Sequence, residues 1–152
     1  MAEVFGRGLL AGKNAIVTGG GSGINFSIAL RFATQGARVA LIGRTKEKLD
    51  SAADEIRKAG GTASGYPADV RDYDALAAAI KSAHDEHGEI DLVVCGAAGN
   101  FPAPVLGMSA NGFKAVIDID LLGTFNTCRA VFEHLRESVI ARLRISNPKS
   151  LP

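Results

Sequence analysis

The chain has almost no surplus of either charge sign: 17 lysines and arginines stand against 16 aspartates and glutamates in 152 residues. Its basic residues are scattered rather than clustered, so neither a nucleic acid nor another polyanion is indicated as a partner. Cysteine is scarce. Cys95 and Cys128 are too few for a disulfide framework and read as reduced, packed thiols of a reducing compartment, here the cytoplasm. No apolar run approaches the roughly 20 residues of a membrane span. Met1 to Leu10 carries Glu3 and Arg7 and lacks the sustained apolar core of a secretion signal. His84 and His87 stand three apart with no third metal ligand evident, so they read as solvated helix residues and no metal site is expected. What remains, 47% hydrophobic and 22% charged, suits one soluble domain with an adequate core.

Within that composition one segment carries chemistry. Thr18-Gly19-Gly20-Gly21-Ser22-Gly23-Ile24-Asn25 leaves the apolar run Ala15-Ile16-Val17 and enters an amphipathic stretch with Phe26, Ile28, Ala29 and Leu30. Glycines let the backbone turn sharply and approach a pyrophosphate, while free N–H groups at the helix start face the negative charge. Strand-like runs recur at 14–17, 38–42, 62–66 and 90–94, with helix-length stretches at 27–35, 46–59 and 72–87 between them. The helices stop at Gly36, Gly60-Gly61 and Gly88, where a left-handed C-terminal cap is needed. Leu49, Ala52, Ala53 and Ile56, and then Leu76, Ala79, Ile80 and Ala83, give the second and third helices one face each to bury. The alternation predicts an α/β, doubly wound parallel sheet of Rossmann type that binds a nucleotide.

The choice of nucleotide turns on the end of the second strand. There the chain reads Leu41-Ile42-Gly43-Arg44-Thr45, with no carboxylate for a ribose 2′-hydroxyl and an arginine able to pair with a 2′-phosphate. NADP is therefore expected, with NAD the less favoured alternative. Cys95 falls at a strand end beside that ligand, so modification there would obstruct binding.

The glycine segment, Ala68-Asp69-Val70, Cys95-Gly96-Ala97-Ala98-Gly99-Asn100-Phe101 and Asp118-Ile119-Asp120-Leu121-Leu122-Gly123-Thr124-Phe125 follow the order and spacing of the short-chain dehydrogenase/reductases. The last two segments look most like the peroxisomal-type 2,4-dienoyl-CoA reductases and their bacterial relatives, and the resemblance covers about 10–137. It implies that backbone groups around Gly19, Ser22, Gly23 and Ile24 hold the phosphates and Arg44 the 2′-phosphate. Asp69 and Val70 would contact the adenine, and Gly96 and Ala97 would line the cofactor. Asn100 and Phe101 would reach toward nicotinamide and a small-molecule substrate, an acyl-CoA being one candidate. Asp120 would assist protonation together with a lysine further along the chain, its proton affinity tuned by burial and a neighbouring cation. A homo-oligomer through the long helix at 111–137 is also implied.

The departures from that pattern are specific. Asn25 replaces the third glycine of the usual loop, and Cys95-Gly96 stands where most members have two asparagines, so the hydrogen bonds of those amides must be supplied otherwise. The family's Tyr-x-x-x-Lys pair has no counterpart: the two tyrosines, Tyr66 and Tyr73, are followed four residues on by Val70 and Ala77. The domain is thus expected to occupy 1–137 and to be incomplete, truncated after the fourth or fifth strand. Residues 138–152 are either that fifth strand, with Ser146 or Ser150 near the family's serine, or an aberrant tail. Two readings remain open: an NADPH-dependent reductase of an enoyl or dienoyl thioester or a carbonyl, and a catalytically incompetent dinucleotide-binding fragment.

Overall fold

The computed structural model describes residue 6, residues 8–100 and residues 103–135. Four parallel strands form one sheet in the order β3-β2-β1-β4: β1 (Asn14–Thr18), β2 (Arg38–Gly43), β3 (Thr62–Pro67) and β4 (Leu92–Cys95). The register sets Thr18 beside both Ile42 and Cys95, so the C-terminal ends of β1, β2 and β4 are level. The strand order reverses between β1 and β4, and it is beyond such a switch point that ligands of open parallel sheets sit.

Helices α1 (Gly23–Thr34) and α2 (Lys46–Lys58) cover one face and α3 (Tyr73–His87) the other. Strand residues alternate between the two cores. Ala15, Val17, Val39 and Leu41 pack with Ala29, Ala33, Leu49 and Ile56, whereas Ile16, Ala40 and Ile42 pack with Leu76, Ile80, Ala130 and Val131. This accounts for the nearly unbroken apolar character of β1 and β2, which are buried on both faces. Gly36, Gly60 and Gly88 take φ values of 96°, 84° and 90°, the left-handed geometry expected of residues that end helices.

Three differences from the sequence reading exceed a single residue. The first helix begins at Gly23 rather than residue 27, because a glycine at φ 61° turns directly into it. The fourth strand begins at Leu92 rather than residue 90: Ile90 is held in a separate bridge to Leu135, and the Asp91 carboxylate accepts from the Asn14 N–H at 3.0 Å and from Lys13 Nζ at 3.0 Å. The long helix expected over 111–137 is broken into α4 (Ala110–Ile117) and α5 (Gly123–Val131) by a wide π turn, Asp118–Leu122. Gly123 approaches Val70 so closely that a Cβ there would lie 2.5 Å from the valine Cγ2. The Thr124 and Thr127 hydroxyls donate to the carbonyls of Asp120 and Gly123, at 2.6 and 2.7 Å, which favours a local widening of the helical ladder. A short 3-10 turn, Phe132–His134, ends the described chain, and the fifth strand or tail expected at 138–152 lies outside the described residues.

His87 also departs from expectation. It is buried at the end of α3, not solvated, and desolvation lowers its proton affinity below the ordinary histidine value. Among the described residues no group of histidines, cysteines and carboxylates could hold a metal, and no helix is long and apolar enough to cross a membrane.

Candidate functional site

A cleft of about 330 Å³ opens beyond the C-terminal ends of β1, β2 and β4, within the usual size range of small-molecule pockets. Its walls include Gly19, Gly21, Ser22 and Asn25 from the glycine loop, Gly43, Arg44, Thr45, Lys48 and Leu49 from the β2–α2 junction, and Ala68, Asp69 and Val70 after β3. Gly96, Ala97 and Ala98 after β4, with Ile119 from the π turn, complete it. Four of these five segments meet at one place because parallel strands all deliver their C-terminal ends to the same edge.

The glycine loop is shaped by close approach. Gly19 has φ 71° and donates its N–H to the Ile42 carbonyl at 2.7 Å; a Cβ there would lie 3.0 Å from the Gly96 oxygen and 3.1 Å from the Ala97 Cα. Any larger residue would be both strained and crowded. Thr18, buried at the end of β1, accepts from the N–H groups of Gly96 and Ala97 at 3.0 and 3.2 Å through its Oγ1. That hydroxyl knits the two strand ends that flank the cleft.

Asn25 and Gly96 answer each other. The Asn25 amide donates to the Gly96 carbonyl at 2.6 Å, and a Cβ on residue 96 would fall 2.3 Å from Asn25 Oδ1. The side chain added to the loop therefore occupies the room freed on the opposite strand, and it supplies a hydrogen bond across the sheet end. The loop keeps its turn with asparagine at the third position.

The first turn of α1 is left open. Ser22, in extended geometry, makes no side-chain capping bond, and no acidic residue lies in the first turn. Unclaimed N–H groups and the helix dipole make such an end favourable for an anion. Gly23 and Ile24 belong to this turn, but neither is among the cleft walls and the Ile24 side chain is 80% exposed. Any part they take runs through their backbone, since the helix start turns the isoleucine side chain outward.

Positive charge gathers on one side. Arg44 lines the cleft at the end of β2, and Lys48 lines it four residues later, within the first turn of α2. The Lys48 stem reaches the glycine loop, its Cβ lying 3.5 Å from where a Cβ of Gly21 would stand. Across from them Asp69 accepts Arg71 Nη2 at 2.5 Å and the Arg71 N–H at 3.0 Å, and this hydrogen bonding, with smaller help from Arg44, holds its carboxyl below the usual range. The Asp69 carbonyl also accepts from the Asp72 N–H, so the residue serves as turn and as cleft wall together.

Asp120 sits in the π turn, where its Oδ1 accepts the Gly99 N–H at 2.9 Å. That bond joins it to the Ala97–Asn100 run, but the residue is exposed and outside the cleft walls. The burial expected from the sequence is not found: the Asp120 side chain faces solvent. Asp118 pairs instead with Lys114 at 2.5 Å, which keeps the two aspartates on separate duties. Asn100 is exposed and outside the walls, and Phe101 lies outside the described residues.

Of the residues named from sequence, Gly19, Ser22, Arg44, Asp69, Val70, Gly96 and Ala97 come together at the cleft. Lys48 was missed as part of it. Its signal is a second cation close after Arg44, in the first turn of the helix that follows the end of β2.

Comparison with known proteins agrees with this geometry. The family model described as short chain dehydrogenase matches residues 13–142. A peroxisomal 2,4-dienoyl-CoA reductase of Arabidopsis thaliana is 39% identical over 142 residues, covering 93% of this chain and 48% of that protein. A protein of the same name from Rattus norvegicus is 41% identical over 132 residues, covering 86% of this chain and 45% of the relative. Among solved structures, a citronellol catabolism dehydrogenase of Pseudomonas aeruginosa superposes with a TM-score of 0.82 at 38% identity, over 89% of this chain and 55% of its own. The chain thus spans about half the length of the curated relatives it matches.

Proposed function

This chain belongs to the short-chain dehydrogenase family, and on that premise we propose that its cleft holds NADPH as the nucleotide half of a reductase acting on an enoyl or dienoyl thioester or a carbonyl. The observation that carries the reading is the pairing of an uncapped, acid-free helix start with two cations, Arg44 just after β2 and Lys48 at the start of α2. Pyrophosphate suits the first and a 2′-phosphate the second. Gly19 leaves the space that a ribose-phosphate backbone needs, and Asp69 with Val70 bounds the cleft where an adenine would end.

When bound, NADPH supplies the hydride. The chain's own part is to fix the dinucleotide between the glycine loop and the Gly96–Ala97 wall and to present Asp120 beside the Ala97–Asn100 run. There its carboxylate orients a water that gives up a proton after hydride arrives. The reductase names of the relatives support an acyl-CoA substrate for the whole protein. A second copy packs on the apolar stripe of α4, the π turn and α5, where Phe113, Leu121 and Phe125 are exposed. The two thiols support a reducing compartment, the cytoplasm, although the relatives' names place those proteins in peroxisomes.

A second reading, a dinucleotide-binding piece without chemistry of its own, is favoured by the fate of the tyrosines. Tyr66 donates to Glu86 at 2.6 Å, and its proton affinity is raised by burial and by that carboxylate. Tyr73 lies under the Arg129 guanidinium at 4.9 Å. Neither lines the cleft. Titration with NADPH and NADH, followed by nicotinamide fluorescence, tests the cofactor: NADPH is expected to bind more tightly, and Arg44→Asp to reverse or erase the preference. An unchanged preference in that variant refutes the assignment. Turnover of a 2,4-dienoyl-CoA, lost in Asp120→Ala, supports the reductase; binding without turnover supports the second reading.

A further inference from the structure

The end of β4 and the middle of α5 bring two thiols together that the proposed function leaves unused. Cys95 and Cys128, 33 residues apart in sequence, have their Sγ atoms 3.9 Å apart. We propose that these two cysteines form an intrachain disulfide when the chain meets a hydroperoxide, a modification site that ties β4 to α5 beside the cofactor cleft.

Both backbones are anchored. Cys95 is fixed in register opposite Thr18 of β1. Helix α5 is pinned to the loop after β3 by Asn126, whose Nδ2 donates to the Val70 carbonyl at 2.9 Å. A disulfide needs sulfurs about 2.05 Å apart, so the thiols must close by about 2 Å, a distance within reach of χ1 adjustments on two short side chains. The sites also differ in the way that gives the reaction an order. In the single chain Cys128 is exposed and meets the oxidant, while Cys95 is half-buried with its thiol pushed up to about 11, first by burial and then by the neighbouring Cys128.

The chemistry balances without a further reagent. The Cys128 thiolate attacks the peroxide oxygen, forming a sulfenic acid and releasing hydroxide, which takes up the thiol's proton as water. The Cys95 sulfur then attacks the Cys128 sulfur, the sulfenic oxygen leaves as a second water with the Cys95 proton, and the peroxide has accepted the two electrons lost by the thiols. The bridge would anchor α5 to the residue directly before Gly96 and Ala97, two walls of the cleft.

The test treats the 152-residue chain with hydrogen peroxide in dilute solution, counts free thiols and maps peptides by mass without reduction. Loss of both thiols within one chain, a linked peptide pair containing Cys95 and Cys128, and recovery of both thiols with dithiothreitol are the expected result. Cys128→Ser, at an exposed position, is expected to leave Cys95 reduced under the same treatment. Thiols that stay free, Cys128 oxidised further while Cys95 is untouched, or bridges that join two chains would overturn the proposal.

Discussion

Helices α1 and α3 begin in opposite ways on opposite faces of the same sheet. At α3 the Asp72 side chain accepts the Ala75 N–H at 3.1 Å and Asp74 adds a second carboxylate in the first turn, so the chain satisfies and neutralises its own helix start. At α1 the serine in the capping position makes no such bond, no acid follows, and the turn opens onto the cleft. Helix α2 lies between the two cases, with Thr45 uncapped but Glu47 in its first turn. Local stability is given up where α1 meets the cleft and kept where α3 does not, as expected if a ligand's negative charge completes the first helix and the chain alone completes the third.

The contrast can be broken most severely at the loop itself. Gly19→Val introduces a β-branched residue at φ 71° against Gly96 and Ala97; NADPH binding is expected to disappear while far-ultraviolet circular dichroism still reports a helical fold. Ser22→Asp gives α1 the carboxylate that α3 already has, and NADPH affinity should fall about tenfold, roughly 1.4 kcal/mol, as measured by fluorescence titration. Thermal stability of the unliganded chain should hold or rise in that variant, because the new cap serves the helix as it repels the phosphates. Asp72→Ala makes the reverse change: unfolding free energy should drop by about 1 kcal/mol while NADPH affinity is unchanged.

The mildest test uses acid. His87 at the end of α3 has a proton affinity lowered by burial, and His134 one lowered by burial and by His84. The unfolded chain therefore binds more protons near its ordinary histidine value, so stability is complete above about pH 6.5 and declines as pH falls below it. Helix α1 has only Arg31 as an ionisable side chain. Hydrogen exchange compared at about pH 7.5 and pH 5.5 should show α3 losing more protection than α1, and equal loss in the two would contradict the assignment.

Much of this arrangement was readable before any coordinates. Strand and helix alternation, with glycines at the helix ends, gave the sheet and both of its covered faces, because those signals are local and periodic. The cleft residues at the strand ends followed from the same topology. What was hidden depends on contacts distant in sequence. Ile90 looks like strand until Leu135 is known to bridge to it, and the π turn arises from the approach of Gly123 to Val70, more than fifty residues earlier. His87 reads as a helix-surface residue because its neighbours come from other strands: the Tyr66 ring stands edge-on to it at 6.3 Å, and Arg38 Nη1 donates to its carbonyl. Lys48 was lost among its charged neighbours Lys46 and Glu47, where a run of charge normally means a solvated face.

The Asn25–Gly96 contact bears on how this domain can be recombined with its relatives. A graft that brings a larger residue to position 96 while retaining Asn25 collides within the loop, and one that brings glycine to position 25 alone leaves the Gly96 carbonyl without its donor. The glycine loop and the end of the fourth strand, far apart in the chain, therefore form one exchangeable cassette, and a working chimera has to inherit both pieces from the same parent.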